Sequence, residues 1–178
     1  MSNMSADLII SLIKERKSVR RFKPDPVSPE IIKTLLEAAC QAPNAGNLQP
    51  WYFIVVNNLE IRQQLVRAAL NQTFLAEAPV NIVVCAEPNR SAARYGQRGR
   101  DLYCIQDTAA AVENILLTAT AYGLGSCWVG AFNEQEVAQI LKLKPEYRPV
   151  AIIPIGHPAR ETKTVARRPL EEVMHVID

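Results

Sequence analysis

The hydrophobic and polar positions of this chain follow two patterns, one typical of helices and one typical of strands. Apolar residues recur at helical spacing within residues 6–15, 28–41, 59–70 and 133–141, and each segment is expected to form a helix with one buried face. Nearly continuous apolar runs are instead expected to form strands, the first of them buried on both faces. These runs are Trp51–Val56, Val80–Ala86, 127–129 and 150–155.

The longest predicted helix covers residues 101–122, roughly 33 Å at 1.5 Å per residue. It is apolar over most of its circumference, so it is expected to be buried on nearly every side. In a domain of this size, that burial is easiest at the centre of the fold or across a subunit interface.

Two further segments lack a pattern that predicts a helix or a strand. Residues 87–100 are polar and contain four arginines, and we expect a surface loop there. The sequence leaves open whether this loop is a solvated linker or lies near a substrate. The tail after Gly156 ends in a few apolar residues that cannot form a core, so it is expected to lie over the domain or a partner subunit.

Strands that alternate with helices indicate an α/β or α+β sandwich in which helices cover a central sheet. The 178 residues suit one domain, and a hydrophobic content of 48% is enough for a real core. A formal net charge of +2 is too small for a general nucleic-acid or membrane surface. We therefore expect neither partner.

The cysteines and histidines of the chain do not predict a metal site. Cys40, Cys85, Cys104 and Cys127 are far apart in apolar contexts, which favours reduced, buried thiols in a cytoplasmic protein. No histidine–cysteine spacing resembles a zinc site. The sequence also shows no signal peptide and no apolar run of the ~20 residues that a membrane span needs.

The segment Arg16-Lys-Ser-Val-Arg-Arg-Phe22 carries four cations in seven residues. Guanidinium groups match phosphate oxygens, and Ser18 adds a hydroxyl donor. An isolated basic run is more often a solvated connector. Val19 and Phe22 lie between the charges, and a turn rich in glycine and asparagine follows at residues 43–50; both features favour a phosphate site.

Common nucleotide and hydrolase motifs are absent. Residues 123–128 begin like GxGxxG, but tryptophan replaces the third glycine and the order runs from helix to strand. Residues 125–130 have P-loop glycine spacing without the following Lys-Ser/Thr, and no GxSxG elbow occurs. Any catalysis is therefore expected to be carried by a cofactor rather than by a side chain.

Six motifs in one order resemble those of the FMN-dependent nitroreductase family. They are Arg16-Lys-Ser-Val-Arg20, Ala42-Pro-Asn-Ala-Gly-Asn-Leu-Gln-Pro-Trp51, Glu77-Ala-Pro79, Gln106-Asp107, Gly123-Leu-Gly-Ser-Cys-Trp128, and Ile155-Gly-His-Pro158 ahead of Arg167-Arg168-Pro169. The resemblance covers almost the whole chain. It implies one domain over residues 1–178 with an α+β fold: a three-layer sandwich with a mostly antiparallel sheet flanked by helices, and an extended C-terminal tail.

The resemblance also implies a homodimer with two FMN sites at its interface. Arg16, Lys17 and Ser18 would hold the phosphate and ribityl chain, and Arg20 would reach the pyrimidine edge. The other implied contacts are Pro43, Asn44, Ala45 and Asn47 from the second subunit, Asp107 nearby, the backbone of Trp128, Val129, Gly130 and Ala131 near N5, and Arg168 with Arg167 at the phosphate. Gln72 or Asn71 would contact the ring, a choice that stays open.

Some of these residues also have simpler interpretations. Asn44 stands where many members of the family have serine, so the resemblance supports its backbone contact more than its side-chain contact. Trp51 and Trp128 are expected to be core residues rather than substrate platforms. Asp107 is equally consistent with a polar residue on the surface of the long helix.

The activity that the resemblance implies is hydride transfer from NADH or NADPH, through FMN, to a small oxidised acceptor such as a nitroaromatic or a quinone. The exchange would be ping-pong, and no side chain would be a catalytic residue. Alternatives are specialised chemistry such as reductive dehalogenation or flavin fragmentation, and a non-catalytic FMN-binding sensor. The physiological acceptor cannot be deduced from the sequence.

Overall fold

Four antiparallel strands form one sheet in the order β1-β2-β4-β3 in a computed structural model that describes residues 4–177. The strands are β1 (Trp51–Val56), β2 (Val80–Ala86), β3 (Gly125–Ser126) and β4 (Arg148–Gly156). The helices are α1 (Met4–Glu15), α2 (Pro29–Cys40), α3 (Leu59–Ala68), α4 (Phe74–Glu77), α5 (Pro88–Arg98), α6 (Cys104–Ala121) and α7 (Glu134–Ile140).

Helices cover both faces of this sheet, so the expected three-layer α+β sandwich is confirmed. Alternate residues of β2 and β4 point to opposite faces, because side chains alternate along a strand. Ile82 and Ile153 pack with α2 and α6 in one core, whereas Val83 and Ile152 pack with α3, α4 and α7 in the other.

The two long apolar runs differ in their burial. Every residue of β2 is buried, as a strand between two neighbours should be. β1 pairs with β2 only, and Tyr52 and Val55 are exposed. The expectation that β1 would be buried on both faces was therefore wrong, because its place at the edge of the sheet was set by topology.

Helix α6 lies at the centre of the fold, as its apolar circumference predicted. Of its residues only Gln106 and Ala121 are exposed. The helix begins at Cys104 rather than at 101, because residues 99–103 form a π-helical segment. The capping predictions hold as well: Asn133 accepts hydrogen bonds at the start of α7, and Ser28 does so at the start of α2.

The expected loop at residues 87–100 is instead the helix α5. Its apolar content is too low to form a stripe, and the sequence signal was Pro88 at the first position; in the structure Ser91 also packs against Gly99 at the end of the helix. A Cβ at Gly99 would lie 2.4 Å from the Ser91 carbonyl oxygen, so only glycine permits this packing.

Three smaller expectations were also wrong. The strand expected at 127–129 is β3 at Gly125–Ser126, and Val129 pairs with Ile152 in an isolated bridge. Cys40 is exposed because it ends α2 on the outer side, whereas the other three cysteines are buried as expected. Trp128 is 41% exposed, although Trp51 is a core residue as expected.

Among residues 4–177, two apolar segments contain no buried residue. Helix α1 has no buried residue, and Leu8, Ile9, Ile10 and Ile13 are all exposed. Residues 163–177 of the tail are also exposed throughout. None of the helices within residues 4–177 combines the length and hydrophobicity needed to cross a membrane.

Candidate functional site

The basic segment between α1 and α2 is anchored along the sheet by its apolar residues. Val19 and Phe22 are buried, and the Val19 amide donates to the Ser126 carbonyl oxygen over 2.8 Å. Val19 packs directly on Gly125, where a Cβ would lie 2.8 Å from the valine side chain. The alternation of buried apolar and charged residues therefore leaves the charged groups at the surface.

A cavity of about 660 Å³ lies beside this segment. Five of the predicted cofactor-binding residues line it, namely Arg16, Lys17, Ser18, Arg20 and Arg167. The Arg16 side chain is only 18% exposed, and its Nε lies 3.6 Å from Glu113 Oε1 on α6. Glu113 thus orients a guanidinium that is already partly withdrawn from water.

The same cavity includes residues that the sequence motifs did not identify. Lys14, Thr162, Lys163 and Thr164 line it together with Glu113. The only sequence signal was the basic character of residues 160–168. The positions became candidates only because the chain after β4 passes over the basic segment.

The two neighbouring arginines of the tail have different surroundings. Arg167 lines the 660 Å³ cavity. The Arg168 guanidinium is held by Glu172, with Nε 3.1 Å from Oε2 and Nη2 3.0 Å from the backbone oxygen. Within one chain, Arg167 is therefore the better placed of the two to meet an anion in this cavity, and a phosphate contact by Arg168 stays a prediction.

The second group of predicted residues forms a tight turn after α2. The Asn44 side chain accepts from the Gln49 amide over 2.8 Å and donates to the Ala42 carbonyl oxygen over 3.2 Å. Asn47 and Gln49 adopt positive φ values of 54° and 51°, a conformation that asparagine tolerates better than most residues. Pro43 is exposed at the start of this turn.

Asp107 connects this turn to the central helix. It is 6% exposed, and its Oδ1 accepts a hydrogen bond from the Ala45 amide over 3.1 Å. Its Oδ2 is buried and has no hydrogen-bond partner among the described residues. Asp107 is thus not a surface residue of the helix; it holds the turn in place.

Replacing Asp107 tests this positioning role. Asp107→Ala leaves the Ala45 amide unpaired and should lower the free energy of unfolding by on the order of 1–3 kcal/mol. Asp107→Asn keeps an oxygen acceptor and should be at least as stable as wild type at pH 7. Urea unfolding of the three proteins at one protein concentration measures the difference, and equal losses for both variants would contradict the role of the hydrogen bond.

The pH dependence of stability offers a second measurement on the same variants. Burial raises the pKa of Asp107, and the hydrogen bond from Ala45 lowers it in part. A group with a raised pKa stabilises the folded state fully below its unfolded pKa of about 3.9, and this contribution is lost as pH rises through the folded pKa. Wild type should therefore lose stability relative to Asp107→Asn between acid and neutral pH.

The third group of predicted residues, Gln72 and residues 128–131, lies around the loop that follows β3. The Gln72 side chain donates to the Ala131 carbonyl oxygen over 3.1 Å and to the Ala69 carbonyl oxygen over 3.0 Å. Trp128, Gly130 and Ala131 are exposed, whereas Val129 is buried. Gln72 therefore contacts the predicted loop, and no contact of this kind is seen for the exposed Asn71.

A single chain does not bring all three groups to one cavity. The cavity of 660 Å³ is lined by the basic segment and Arg167, but not by residues 43–47, Gln72 or residues 128–131. Ser18 pairs with Ser126 just before the 128–131 loop, so those two groups are neighbours. The turn at 43–47 belongs to a different part of the surface.

No side chain near the basic segment has the properties of a nucleophile. Cys127 is 2% exposed; burial raises the pKa of its thiol, and the charge of Arg20 lowers it only in part. A protonated, buried thiol is inert. Among residues 4–177, no group of three or more histidines, cysteines or acids could hold a metal ion.

Comparisons with known proteins show which family this chain is similar to. The model of the Nitroreductase family matches residues 13–73 and 63–157. The chain is 32% identical over 187 residues to an NADH dehydrogenase of Thermus thermophilus, covering 90% of this chain and 91% of that protein. It is 29% identical over 184 residues to an FMN reductase (NAD(P)H) of Bacillus subtilis, covering 94% and 72%.

The fold also matches solved structures. Nitroreductase A of Vibrio parahaemolyticus superimposes with a TM-score of 0.86 at 27% identity, covering 94% of this chain and 74% of that one. The similarity therefore extends over most of the fold of this chain.

Proposed function

This chain belongs to the Nitroreductase family, and from that premise we propose that it works as a homodimer that transfers hydride from NADH or NADPH, through FMN, to a small oxidised acceptor such as a nitroaromatic or a quinone. An NAD(P)H-dependent oxidoreductase that uses FMN is the activity that the names of its relatives support. The acceptor, the ping-pong order and the shared site are the finer parts of the proposal.

The observation that carries the proposal is the set of donors around the 660 Å³ cavity. FMN carries one phosphate and a polyhydroxyl chain, which require cationic and hydroxyl partners. Arg16, Lys17, Arg20 and Arg167 supply positive charge, and Ser18 supplies a hydroxyl. The volume lies within the range of about 300–1,000 Å³ that is usual for ligand sites. The residues present therefore fit the cofactor.

Each residue has a distinct part in this arrangement. Arg16, oriented by Glu113 and partly buried, would bind the phosphate together with Lys17 and Arg167. Ser18 would bind the ribityl chain, and the permanent charge of Arg20 at the pyrimidine edge would favour electron uptake. When bound, FMN supplies the hydride chemistry, so the side chains need only bind, orient and exclude water.

A second chain would complete the site. The turn at residues 43–47 does not line the cavity of its own chain, yet its shape is maintained by Asn44 and Asp107. Helix α1, which leads into the basic segment, is uncovered. An interface through α1 would therefore bring a partner close to the cavity, and the proposed donor is the partner's 43–47 turn.

Anaerobic mixing of the FMN-loaded protein with NADH or NADPH tests the function. The visible flavin absorbance should fall, and adding a quinone should restore it. Free FMN at the same concentration is the control, because it reacts slowly with either nicotinamide. In steady-state measurements, parallel double-reciprocal lines would support the ping-pong order.

The same measurement distinguishes the proposed enzyme from the main alternative, a non-catalytic FMN-binding sensor. A non-catalytic sensor would bind FMN tightly but keep its absorbance unchanged with both nicotinamides and all acceptors. That result would rule out the proposed hydride transfer while leaving the binding site intact. Intersecting double-reciprocal lines would instead contradict only the ping-pong order.

A further inference from the structure

A second basic cavity lies beside the first one. It has a volume of about 490 Å³ and is lined by Ser18, Arg20, Arg21, Arg160, Glu161, Thr162 and Lys163. Four of these residues are cations and one is an acid. Ser18, Arg20, Thr162 and Lys163 also line the 660 Å³ cavity, so the two cavities share a wall.

The cofactor phosphate cannot neutralise both cavities. Arg16 lines only the larger cavity and Arg21 only the smaller one. They are five residues apart on a segment that runs alongside β3 and β4, which corresponds to roughly 16 Å at about 3.3 Å per residue. FMN has a single phosphate, and Arg16, Lys17 and Arg167, which the proposed function assigns to it, line the larger cavity only. The charge of the smaller cavity therefore matches a second anion.

The protein itself neutralises this charge only in part. Arg21 pairs with Glu77 over 3.3 Å while remaining 58% exposed. Within residues 4–177, Arg20, Arg160 and Lys163 take part in no ion pair. Glu161 is the one acid in the lining. Arg160 and Lys163 thus remain available for a ligand, whereas the proposed function assigns Arg20 to the flavin.

We propose that the smaller cavity binds the 2′-phosphate of NADPH and makes this nucleotide the preferred reductant; the inference rests on the proposed function. A reductant must lie next to the cofactor, and the shared wall places the smaller cavity there. A terminal phosphate dianion exposes three oxygens to several cations at once, which guanidinium groups bind well. The pyrophosphate is common to NADH and NADPH, so only the 2′-phosphate can produce a preference.

The double variant Arg21→Ala/Arg160→Ala tests the proposal. Both residues are exposed, and both line the smaller cavity but not the 660 Å³ cavity, so the fold and the FMN site should be retained. In anaerobic stopped-flow experiments, the Kd for NADPH should rise on the order of tenfold or more, whereas that for NADH should change less than about threefold. Lys142→Ala, an exposed lysine elsewhere on the surface, is the matched control.

Equilibrium binding gives a readout that does not depend on turnover. Calorimetric titration of the FMN-loaded wild type with 2′,5′-ADP should show tighter binding than titration with 5′-AMP. The double variant should lose this difference, and higher salt should weaken the binding of 2′,5′-ADP more than that of 5′-AMP.

The outcomes separate the proposal from the function on which it rests. If neither nicotinamide reduces the bound flavin, the proposed function fails. If both reduce it, but the double variant lowers the affinity for NADH and NADPH equally, the cavity binds the shared pyrophosphate and the 2′-phosphate assignment is overturned. Equal affinities of wild type for 2′,5′-ADP and 5′-AMP would overturn it as well.

Discussion

Arg16→Ala is expected to reduce the affinity for FMN by on the order of tenfold or more. The substitution removes a charge-assisted hydrogen bond to phosphate, an interaction that contributes about 1.5–3 kcal/mol. Arg16 is partly withdrawn from water and oriented by Glu113, so its charge is screened less than that of an exposed arginine. The fold should persist, because Arg16 lies outside both cores.

Titration of the apoprotein with FMN measures this affinity through flavin fluorescence. Arg67→Ala removes an exposed arginine from the last turn of α3 and should leave the affinity unchanged. Unfolding of the apoproteins by urea checks that the Arg16 variant is folded. Wild-type affinity in a folded Arg16→Ala protein would mean that the phosphate lies elsewhere.

The tail arginines extend this comparison. Arg168 is occupied by Glu172, whereas Arg167 lines the cavity, so Arg167→Ala should weaken FMN binding more than Arg168→Ala. The reverse order would indicate that the tail rearranges around a partner chain and frees Arg168.

Ile9→Asp is expected to convert a stable dimer largely into monomers and to lower FMN binding with it. Leu8, Ile9 and Ile13 are 48–62% exposed on a helix with no buried residue, and the tail adds further exposed apolar residues. Exposed apolar surfaces of this kind mark sites of contact with another protein chain. A charge placed in a buried interface without a partner costs on the order of 3–5 kcal/mol, and a twofold interface contains the substitution twice.

Sedimentation velocity over a dilution series, with and without FMN, measures this effect. Leu59→Asp is the matched control, because Leu59 is 50% exposed in the first turn of α3, where an acid is favourable. FMN should shift wild type toward the dimer, since a ligand held by two chains stabilises their association. A soluble, flavin-loaded wild-type monomer would contradict both the interface and the shared site.

The sequence predicted most accurately those elements whose signals are local. Ser28 and Asn133 begin their helices as expected, because each cap satisfies amides of its own chain segment. The nearly continuous hydrophobic run of β2 predicted a strand correctly, and all seven of its residues, including Asn81, are buried. In the basic segment, Val19 and Phe22 are buried while Arg20 and Arg21 are exposed.

The expectations that failed concern neighbours that are distant in sequence. Helix α5 has no apolar stripe, and its stability comes from contacts such as Arg90 with the Leu48 carbonyl oxygen and Tyr95 with Tyr103. Trp128 has the composition of a core residue but follows the point where β3 stops pairing with β4. Periodicity reports which side of an element is apolar, not which other element covers that side.

The sequence by itself determined the alternation of helices with strands, the beginnings of the capped helices and the family motifs, because these depend on residue type and spacing. Only the tertiary structure decided that β1 is an edge strand, that Asp107 holds the 43–47 turn and that residues 160–167 cross over the basic segment to form two cavities. The reason is physical: the depth of a cavity and the partner of a buried acid depend on chain crossings between residues more than 60 positions apart, and local pattern contains no information about those crossings.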